Sequence, residues 1–333
     1  MERLRVVVLT GGSSAEREIC LKSGAKVMGA LDSAKYEAMA VDLVAIPEAR
    51  AADLASILFA PGGNSEARAV AEQDGRPDVV FIALHGGAGE NGTVQGMLEL
   101  LGIPYTGSGV LASALAMNKI VSKRLFEQAG IPTPRWVEVG RSHRAGAADE
   151  VMSAVGLPCV VKPACEGSTI GVTVVRKQGE LEGALDTAFQ YGPEALAETF
   201  IPGTEITGPV LGNDNPEVLP LIEIVPASGF YDYEAKYTLG ATQEIVPARI
   251  TEGQAKRARE LTLAAHRTLG CRGMSRVDMM AGPDDVYVLE VNTIPGLTET
   301  SLVPRAAEAA GISFAQFVDR LIELALEERQ NRG

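Results

Sequence analysis

The stretch that most constrains this chain is residues 275–292, which read SRVDMMAGPDDVYVLEVN. Two runs typical of strands flank a Gly-Pro-Asp-Asp turn, and the second run is rich in β-branched residues, so we predict a β-hairpin. Because residues two apart on a strand share a face, Arg276 and Asp278 point one way. Glu290 and Asn292 also point one way, and if the two faces coincide, three oxygen ligands and a guanidinium meet at one place.

Oxygen ligands of this kind indicate a metal site. Mg²⁺ is a hard cation that binds carboxylate and amide oxygens and keeps substrate phosphates as its other ligands. We therefore predict a magnesium site made by Asp278, Glu290 and Asn292. The alternative is a surface hairpin with solvated charges, which accounts for one aspartate better than for an acid and an amide embedded in the run VLEVN.

Length and charge limit the classes of protein to which this chain can belong. Its 333 residues are too many for one typical core, so we expect two or three domains. The formal net charge of −13 disfavours a general nucleic-acid binder, which needs a basic face. No apolar run approaches the roughly 18 residues of a membrane span, and we expect no signal peptide and no membrane partner. The four cysteines lack metal-binding spacing, which favours a cytoplasmic protein without disulfides.

Residues 1–107 alternate between strand and helix patterns, which predicts an α/β unit with a parallel sheet. A helix is expected from Ala15 to about Leu31, with Ser14 as its N-cap. The predicted strands are residues 5–9, 38–44 and 78–84.

Glycine turns follow two of these strands, at the carboxyl ends where parallel sheets bind ligands. The turns are Gly11-Gly12 and Gly86-Gly87. The first does not match the GxGxxG fingerprint of dinucleotide-binding proteins, so a plain strand-to-helix turn stays open. Glu16 and His85 lie beside the turns, where a first-turn charge and a strand-end histidine are the commoner interpretations.

A second candidate for ligand binding lies in residues 162–171. Lys162 ends a short strand, and the turn Gly167-Ser168-Thr169 precedes the next one. Backbone N–H groups and short hydroxyls in such a hairpin can approach phosphate oxygens while the lysine neutralises charge. The pattern is not the Walker sequence, and Gly-Ser turns are common, so the signal is of moderate specificity.

Two strands further along the chain carry unusual residues. Glu198 lies inside the apolar run 195–201, where it could accept a hydrogen bond from an adenine amino group or could be an edge-strand acid facing water. Gly208 and Pro209 interrupt the predicted strand 205–211, which suggests a sheet edge or a bulge there.

Residues 226–247 are predicted to form a long loop that holds three of the seven tyrosines and Lys236. Long loops without regular structure are typically lids or disordered, and aromatic content argues against disorder. We therefore predict a lid that orders over a bound ligand and excludes water.

Several motifs, taken together and in one order, carry a family resemblance. They are GGSSAERE, LHGGAGENGTVQGMLELLGIPYTGS, MNK, VKPACEGSTIGV, FYDYEAKYT, SRVDMM and LEVNTIPGLTETSLVPRAA. Together they resemble the D-alanine–D-alanine ligases, which are ATP-grasp enzymes of peptidoglycan synthesis. The resemblance implies an α/β (α+β) ATP-grasp fold with an N-terminal Rossmann-like parallel-sheet domain. The implied domains are residues 1–107, 108–198 and 199–333, the last including the lid and the metal site.

The resemblance also implies roles for individual residues. Those that match catalytic positions are Glu16, Ser168, Tyr237, Arg276, Gly296 and Ser301. Those that match substrate contacts are Glu16, His85, Arg276, Gly296, Ser301 and Leu302. Those that match ATP contacts are Lys119, Lys162, Glu166, Gly167, Ser168, Glu198, Thr199, Ile201, Glu205 and Lys236. The implied metal ligands are again Asp278, Glu290 and Asn292.

Some of these roles are specific. Glu16 resembles the acid that holds the ammonium of the first D-alanine, and it joins Ser168 and Tyr237 in a hydrogen-bonded bridge from loop to lid. Related ligases that make D-alanyl-D-lactate lack this tyrosine, so Tyr237 argues for a dipeptide product. Three residues depart from the family pattern, namely Cys165, Thr199 and Arg305.

The implied reaction joins two D-alanines through an acyl phosphate, with ATP and two Mg²⁺ ions, or Mn²⁺, and a homodimer is the family expectation. Two alternatives stay open. One is an ATP-grasp ligase with another substrate, such as D-lactate or a different amino acid. The other is a non-catalytic nucleotide-binding protein.

Overall fold

Three β-sheets organise the chain in the computed structural model, which describes residues 3–43, 76–227 and 240–332. The first sheet is parallel with the order β2-β1-β3, and Val6 of its central strand lies between Ala38 and Val79. This confirms the parallel α/β unit predicted for the first part of the chain. Its elements are β1 (Leu4–Thr10), α1 (Arg17–Ala30), β2 (Tyr36–Asp42), β3 (Val79–Ile82) and α2 (Thr93–Leu100).

The N-cap predicted for α1 is wrong. Glu16, not Ser14, is the N-cap residue, and its side chain makes no capping hydrogen bond. Ser14 Oγ accepts from Glu16 N at 3.3 Å, just before the helix, and donates to the carbonyl of His85 at 2.6 Å. The hydroxyl thus links the turn after β1 to the end of β3, a long-range contact that local capping rules do not include.

The second sheet is antiparallel, with the order β4-β7-β5-β6. Its strands and the surrounding helices are α3 (Val110–Met117), α4 (Lys119–Gln128), β4 (Trp136–Gly140), α5 (Ala147–Ala154), β5 (Cys159–Pro163), β6 (Thr173–Val175), α6 (Leu181–Phe189) and β7 (Glu194–Thr199). The strands β5, β6 and β7 agree with the strands predicted around Lys162 and Glu198, whereas no strand was predicted at β4.

The third sheet has the order β11-β10-β8-β12-β13, with β9 attached to β8. Its strand β11 lies inside the stretch predicted as an irregular loop, so that prediction is wrong over these four residues, which pair with β10. Its elements are β8 (Thr204–Leu211), β9 (Glu217–Val218), β10 (Ile222–Pro226), β11 (Thr242–Ile245), α7 (Glu252–Thr268), β12 (Met274–Ala281) and β13 (Val286–Asn292).

The sheet edge expected at Gly208-Pro209 is also wrong, because β8 lies between β10 and β12. The Pro209 carbonyl accepts from Leu219 N at 2.9 Å. Along β8, Pro209 follows the residues that pair with β10 and precedes those that pair with β9. In a strand the N–H and C=O of one residue point the same way, so the N–H that proline lacks falls outside the ladder with β12.

Two closing helices, α8 (Leu302–Ala309) and α9 (Phe314–Arg332), complete the chain. Buried side chains of α9, among them Phe317 and Leu321, share a core with Val8 and Ile82 of the first sheet. The last helix therefore returns to the sheet formed by the start of the chain. Among the described residues, no helix is long and apolar enough to cross a membrane.

One face of the third sheet is covered by α7. Val277, Met279 and Val288 are buried there with Leu261 of the helix. The contact is close at Gly208, where an added Cβ would lie 2.2 Å from Thr262 Oγ1.

We predict that Gly208→Ala lowers the free energy of unfolding by about 1–3 kcal/mol, because the added methyl forces apart a packed strand and helix. Chemical denaturation measures the change. Gly253→Ala is the matched control, since it lies in α7 with nothing within 4 Å of its added Cβ. Equal stability of the two variants would contradict the packing argument.

Candidate active site

The polar face of the β12–β13 hairpin forms the floor of the site. Arg276 lies opposite Asn292, and Asp278 lies opposite Glu290. Directly opposed residues of an antiparallel pair share a face. The prediction that both pairs point the same way is therefore confirmed.

A β-bulge follows the acidic pair. The register shifts so that Asp278 opposes Glu290 while Met279 opposes Val288, which leaves Leu289 without a partner. Leu289 and Glu290, although consecutive, both line the same cavity. Sequence alternation does not reveal the bulge, but it lies outside the stretch 290–292, so the inference about Glu290 and Asn292 still holds.

Each candidate metal ligand on this floor already has a polar partner. Arg276 donates from Nε and Nη2 to the two oxygens of Asp278 at 2.8 and 2.6 Å, and Thr207 Oγ1 donates to the same carboxylate at 2.7 Å. Lys119 Nζ lies 3.1 Å from Glu290 Oε2. Asn292 Oδ1 accepts from Ile294 N at 2.9 Å, which fixes the orientation of the amide.

The donor set fits Mg²⁺, because two carboxylates and an amide oxygen are hard oxygen ligands on one face. Within the described ranges, no three His, Cys, Asp or Glu side chains cluster at a possible metal site. At the hairpin, two of the oxygen ligands are carboxylates and the third is the amide oxygen of Asn292.

A cavity of about 260 Å³ lies between the second and third sheets. Seven of the residues predicted to contact ATP line it, and its remaining walls are largely apolar. The seven are Lys119, Lys162, Glu166, Glu198, Thr199, Ile201 and Glu205. Apolar lining residues that sequence reasoning missed include Val160, Ile170, Phe200, Met280 and Leu289. Val160 and Met280 lie two residues from Lys162 and Asp278 on their strands, so alternation could have indicated them.

Glu198 is buried at 3% exposure in β7, between β4 and β5, so the alternative of an edge acid is wrong. Its Oε1 lies 2.5 Å from Lys162 Nζ, and its Oε2 lies 2.7 Å from Lys123 Nζ. Burial acts to raise the pKa of Glu198, but the two lysines outweigh it and hold that pKa below its usual value. Sequence reasoning missed Lys123, although it lies four residues after Lys119 and thus on the same helix face.

The loop after β5 has a strained backbone. Ser168 and Thr169 have φ values of 50° and 61°, a left-handed conformation that is costly for residues other than glycine. Ser168 Oγ donates to Glu16 Oε1, which ties this loop to the start of α1. The Glu166 carbonyl accepts from Lys119 Nζ at 2.6 Å. Strain of this kind persists where surrounding contacts hold the backbone, as they do here.

A smaller cavity of about 80 Å³ adjoins the same floor, and Glu290 lines both cavities. Every residue predicted to contact the substrate reaches this smaller cavity, together with Gly167, Ser168 and Asn292. The predicted contacts are Glu16, His85, Arg276, Gly296, Ser301 and Leu302. Gly167 and Ser168, which are predicted to contact ATP, line this smaller cavity and not the larger one, so the predicted ATP contacts are divided between the two neighbouring spaces.

The ring of His85 is held from both sides. Nδ1 lies 2.9 Å from the Ile294 carbonyl, and Nε2 lies 2.9 Å from Ser23 Oγ. A carbonyl only accepts, so Nδ1 carries the proton, and in the neutral ring Nε2 accepts from the serine. Burial lowers the pKa of His85, although the nearby Glu16 acts in the opposite direction.

Glu90 is a further buried acid that sequence reasoning missed. It accepts from Gly86 N at 2.7 Å and lines a crevice with Lys119, Glu166 and Glu290. Burial, followed by repulsion from Glu16, raises the pKa of Glu90 to about 8. It lies in a motif already noted for its family resemblance, but nothing in its local pattern marks it as buried.

Two predicted residues, Lys236 and Tyr237, lie outside the described residues, as does most of the predicted lid. Arg305, one of the departures from the family pattern, has a clear partner. Its Nη2 lies 2.8 Å from Glu244 Oε2, so an ion pair links α8 to β11.

The chain is also similar to known proteins along nearly its whole length. The family described as "D-ala D-ala ligase N-terminus" matches residues 5–108, and "D-ala D-ala ligase C-terminus" matches residues 125–323. A D-alanine–D-alanine ligase of Syntrophobacter fumaroxidans is 48% identical over 98% of this chain and 99% of its own length. That of Desulforudis audaxviator is 47% identical over 97% and 99%.

Solved structures are similar over the same span. The D-alanine–D-alanine ligase of Bacillus anthracis complexed with ATP has a TM-score of 0.80 at 35% identity and covers 100% of both chains. The VanG D-Ala:D-Ser ligase of Enterococcus faecalis has a TM-score of 0.81 at 32% identity and covers 97% of this chain and 100% of its own.

We predict that the pKa of His85 lies below the ordinary histidine value, because the ring is buried, and that the neutral ring carries its proton on Nδ1. Long-range ¹H–¹⁵N spectra report the tautomer. Since the chain has three histidines, the signals that disappear in His85→Gln identify the ring. A pKa at or above the ordinary histidine value, or a neutral ring with its proton on Nε2, would refute the hydrogen-bond scheme.

Proposed function

Because this chain belongs to the D-alanine–D-alanine ligase family, we propose that it uses ATP to join two D-alanines into D-alanyl-D-alanine for peptidoglycan synthesis. The observation that carries the proposal is the shared floor of the two cavities. Glu290 lines both the larger and the smaller space, so a nucleotide in one and an amino acid in the other would meet at the hairpin.

In the first step, a carboxylate oxygen of the first D-alanine attacks the γ-phosphorus of ATP, and ADP leaves. Two anions must approach each other, so cations have to neutralise the charge that collects between them. Lys119, Lys162 and Arg276 supply positive charge around the floor. Lys236 of the lid is proposed to reach the γ-phosphate.

The proposed metal ligands are Asp278, Glu290 and Asn292. A bound Mg²⁺ supplies further charge neutralisation at the phosphoryl group. A second ion and the use of Mn²⁺ belong to the same proposal.

In the second step, the amine of the second D-alanine attacks the carbonyl carbon of the acyl phosphate, and inorganic phosphate leaves. The developing oxyanion needs hydrogen-bond donors, for which Arg276 and the Gly296 N–H are the candidates. Ser301 and Leu302, at the start of α8, are proposed to hold the second amino acid. Glu16 is proposed to hold the ammonium of the first, with Ser168 bridging it to Tyr237 of the lid.

Water must be excluded during both steps, because an acyl phosphate hydrolyses when wet. This need supports the proposal that residues 226–247 act as a lid. A homodimer is proposed because it is the family expectation, and a cytoplasmic location is proposed from the pattern of cysteines.

The identity of the second substrate is a separate question, because one similar structure is named a D-Ala:D-Ser ligase. We propose D-alanine, since the sequence retains Tyr237. The remaining alternatives are an ATP-grasp ligase for other substrates and a protein that binds nucleotide without turnover.

We predict that Glu290→Gln lowers ligation by at least ~10²-fold, because it removes a charge at the transferring phosphoryl group. Coupled ADP release measures the loss, and Mn²⁺ electron paramagnetic resonance measures metal binding directly. Asp284→Asn, in the turn of the same hairpin, is the matched control and should keep normal activity. Near-normal turnover of the Glu290 variant would refute the metal-site proposal.

We also predict that D-alanine is preferred over D-lactate and D-serine as the second substrate at neutral pH. ADP release with each compound, followed by the mass of the product, tests this. A preference for D-lactate or D-serine would overturn the substrate and leave the ligase proposal intact. Release of no ADP with any amino acid would favour the non-catalytic alternative.

A further inference from the structure

Lys123 is a charged side chain with no solvent exposure that lies behind the larger cavity rather than in it. Its Nζ contacts Thr133 Oγ1 at 2.5 Å, the Pro134 carbonyl at 3.4 Å and Glu198 Oε2 at 2.7 Å. Thr133 is itself held, because its hydroxyl donates to the Val288 carbonyl at 2.8 Å. The ammonium is therefore fixed in place and does not face any ligand.

Lys162 is the second cation on Glu198, and its position differs from that of Lys123. Lys162 lines the larger cavity and lies 2.5 Å from Glu198 Oε1. A polyphosphate in the cavity attracts a cation on the wall, so Lys162 can move toward it. Lys123 does not line the cavity, and its contacts with Thr133 and Glu198 hold it beside the carboxylate.

Glu198 would lose its charge compensation if Lys162 were its only partner. A buried carboxylate left unpaired either becomes protonated or destabilises its surroundings. Lys123 prevents this, because it keeps one cation beside Glu198 whatever Lys162 does. Oε2 is buried beside Lys123, whereas Oε1 lies beside Lys162 on the cavity wall, so Oε1 is the oxygen left to accept a hydrogen bond when Lys162 moves to a phosphate.

We infer that Lys123 is a positioning residue that sets purine specificity by holding Glu198 as an ionised acceptor for an exocyclic amino group. The inference rests on the proposed function, in that the larger cavity takes the adenine nucleotide. Adenine presents an amino donor at position 6, whereas hypoxanthine and guanine present a carbonyl oxygen there. A carboxylate pairs with the amino donor and repels the carbonyl oxygen.

Binding of ADP and of inosine diphosphate, each with Mg²⁺ and without D-alanine, tests the inference by calorimetry. Wild-type protein should prefer ADP by at least ~10-fold, the usual effect of a hydrogen bond to a charged group. Lys123→Met should reduce this preference to within about threefold, mainly through weaker ADP binding. Lys123→Arg keeps the positive charge and should restore part of the preference for ADP. Because no ligation is measured, failure of the proposed reaction does not decide the result.

Arg124→Met is the matched control, since Arg124 neighbours Lys123 on α4 but forms an ion pair with Glu138 at the surface. It should keep the wild-type preference. If Lys123→Met weakens both nucleotides equally, Lys123 has only a structural role and the inference is wrong.

A second comparison covers the case in which Lys123→Met does not fold. The double variant Lys123→Met, Glu198→Gln removes both charges, so no unpaired carboxylate stays buried. Its ratio of ADP to inosine diphosphate affinity should equal that of Glu198→Gln alone, because Lys123 acts only through Glu198. A further fall of the ratio in the double variant would overturn the inference.

Discussion

The cross-strand pairing of Asp278 with Glu290 is the contact on which the rest of the site depends. It places both carboxylates, and with them Arg276 and Asn292, on the one face of the third sheet that α7 leaves uncovered. The opposite face is packed against α7, so a shift of the register by one residue would bury these charges in an apolar core. The hydrophobic core thus selects the register that creates the polar floor.

Charge balance follows from this arrangement. The chain carries a net charge of −13, yet the cavities contain paired cations that an anionic ligand can use. Arg276 pairs with Asp278, Lys119 with Glu290 and Lys162 with Glu198. Each buried cation is thus neutralised before any ligand arrives, which limits the cost of removing it from water. When a phosphate binds, it takes the place of a carboxylate beside one of these cations. No cation is therefore left unpaired before the ligand binds.

The substrate side of the site is built from distant parts of the chain. The strained Ser168 meets Glu16 across 152 residues, and His85 meets the Ile294 carbonyl across 209. The return of α9 to the first sheet holds these segments together, because its buried side chains share a core with β1 and β3. The packing of the chain's two ends therefore also fixes the geometry of the smaller cavity.

Most of the strands and helices were predictable from local patterns, because periodicity and turn residues depend only on neighbours in the chain. The same holds for the hairpin and its oxygen donors, where strand alternation is enough. The identity of the other candidate residues came from motifs that resemble a family. Their division between two cavities could not be derived from either source.

Features set by contacts between distant residues escaped sequence reasoning. The bulge at Leu289, the strand β11 and the placement of Pro209 depend on which strand lies alongside. The Lys123–Glu198 pair depends on a helix and a strand that are 75 residues apart meeting in the core. The sequence by itself thus determined the elements and their chemistry. Only the tertiary structure decided which charges are buried together, because burial arises from packing between segments that local patterns do not connect.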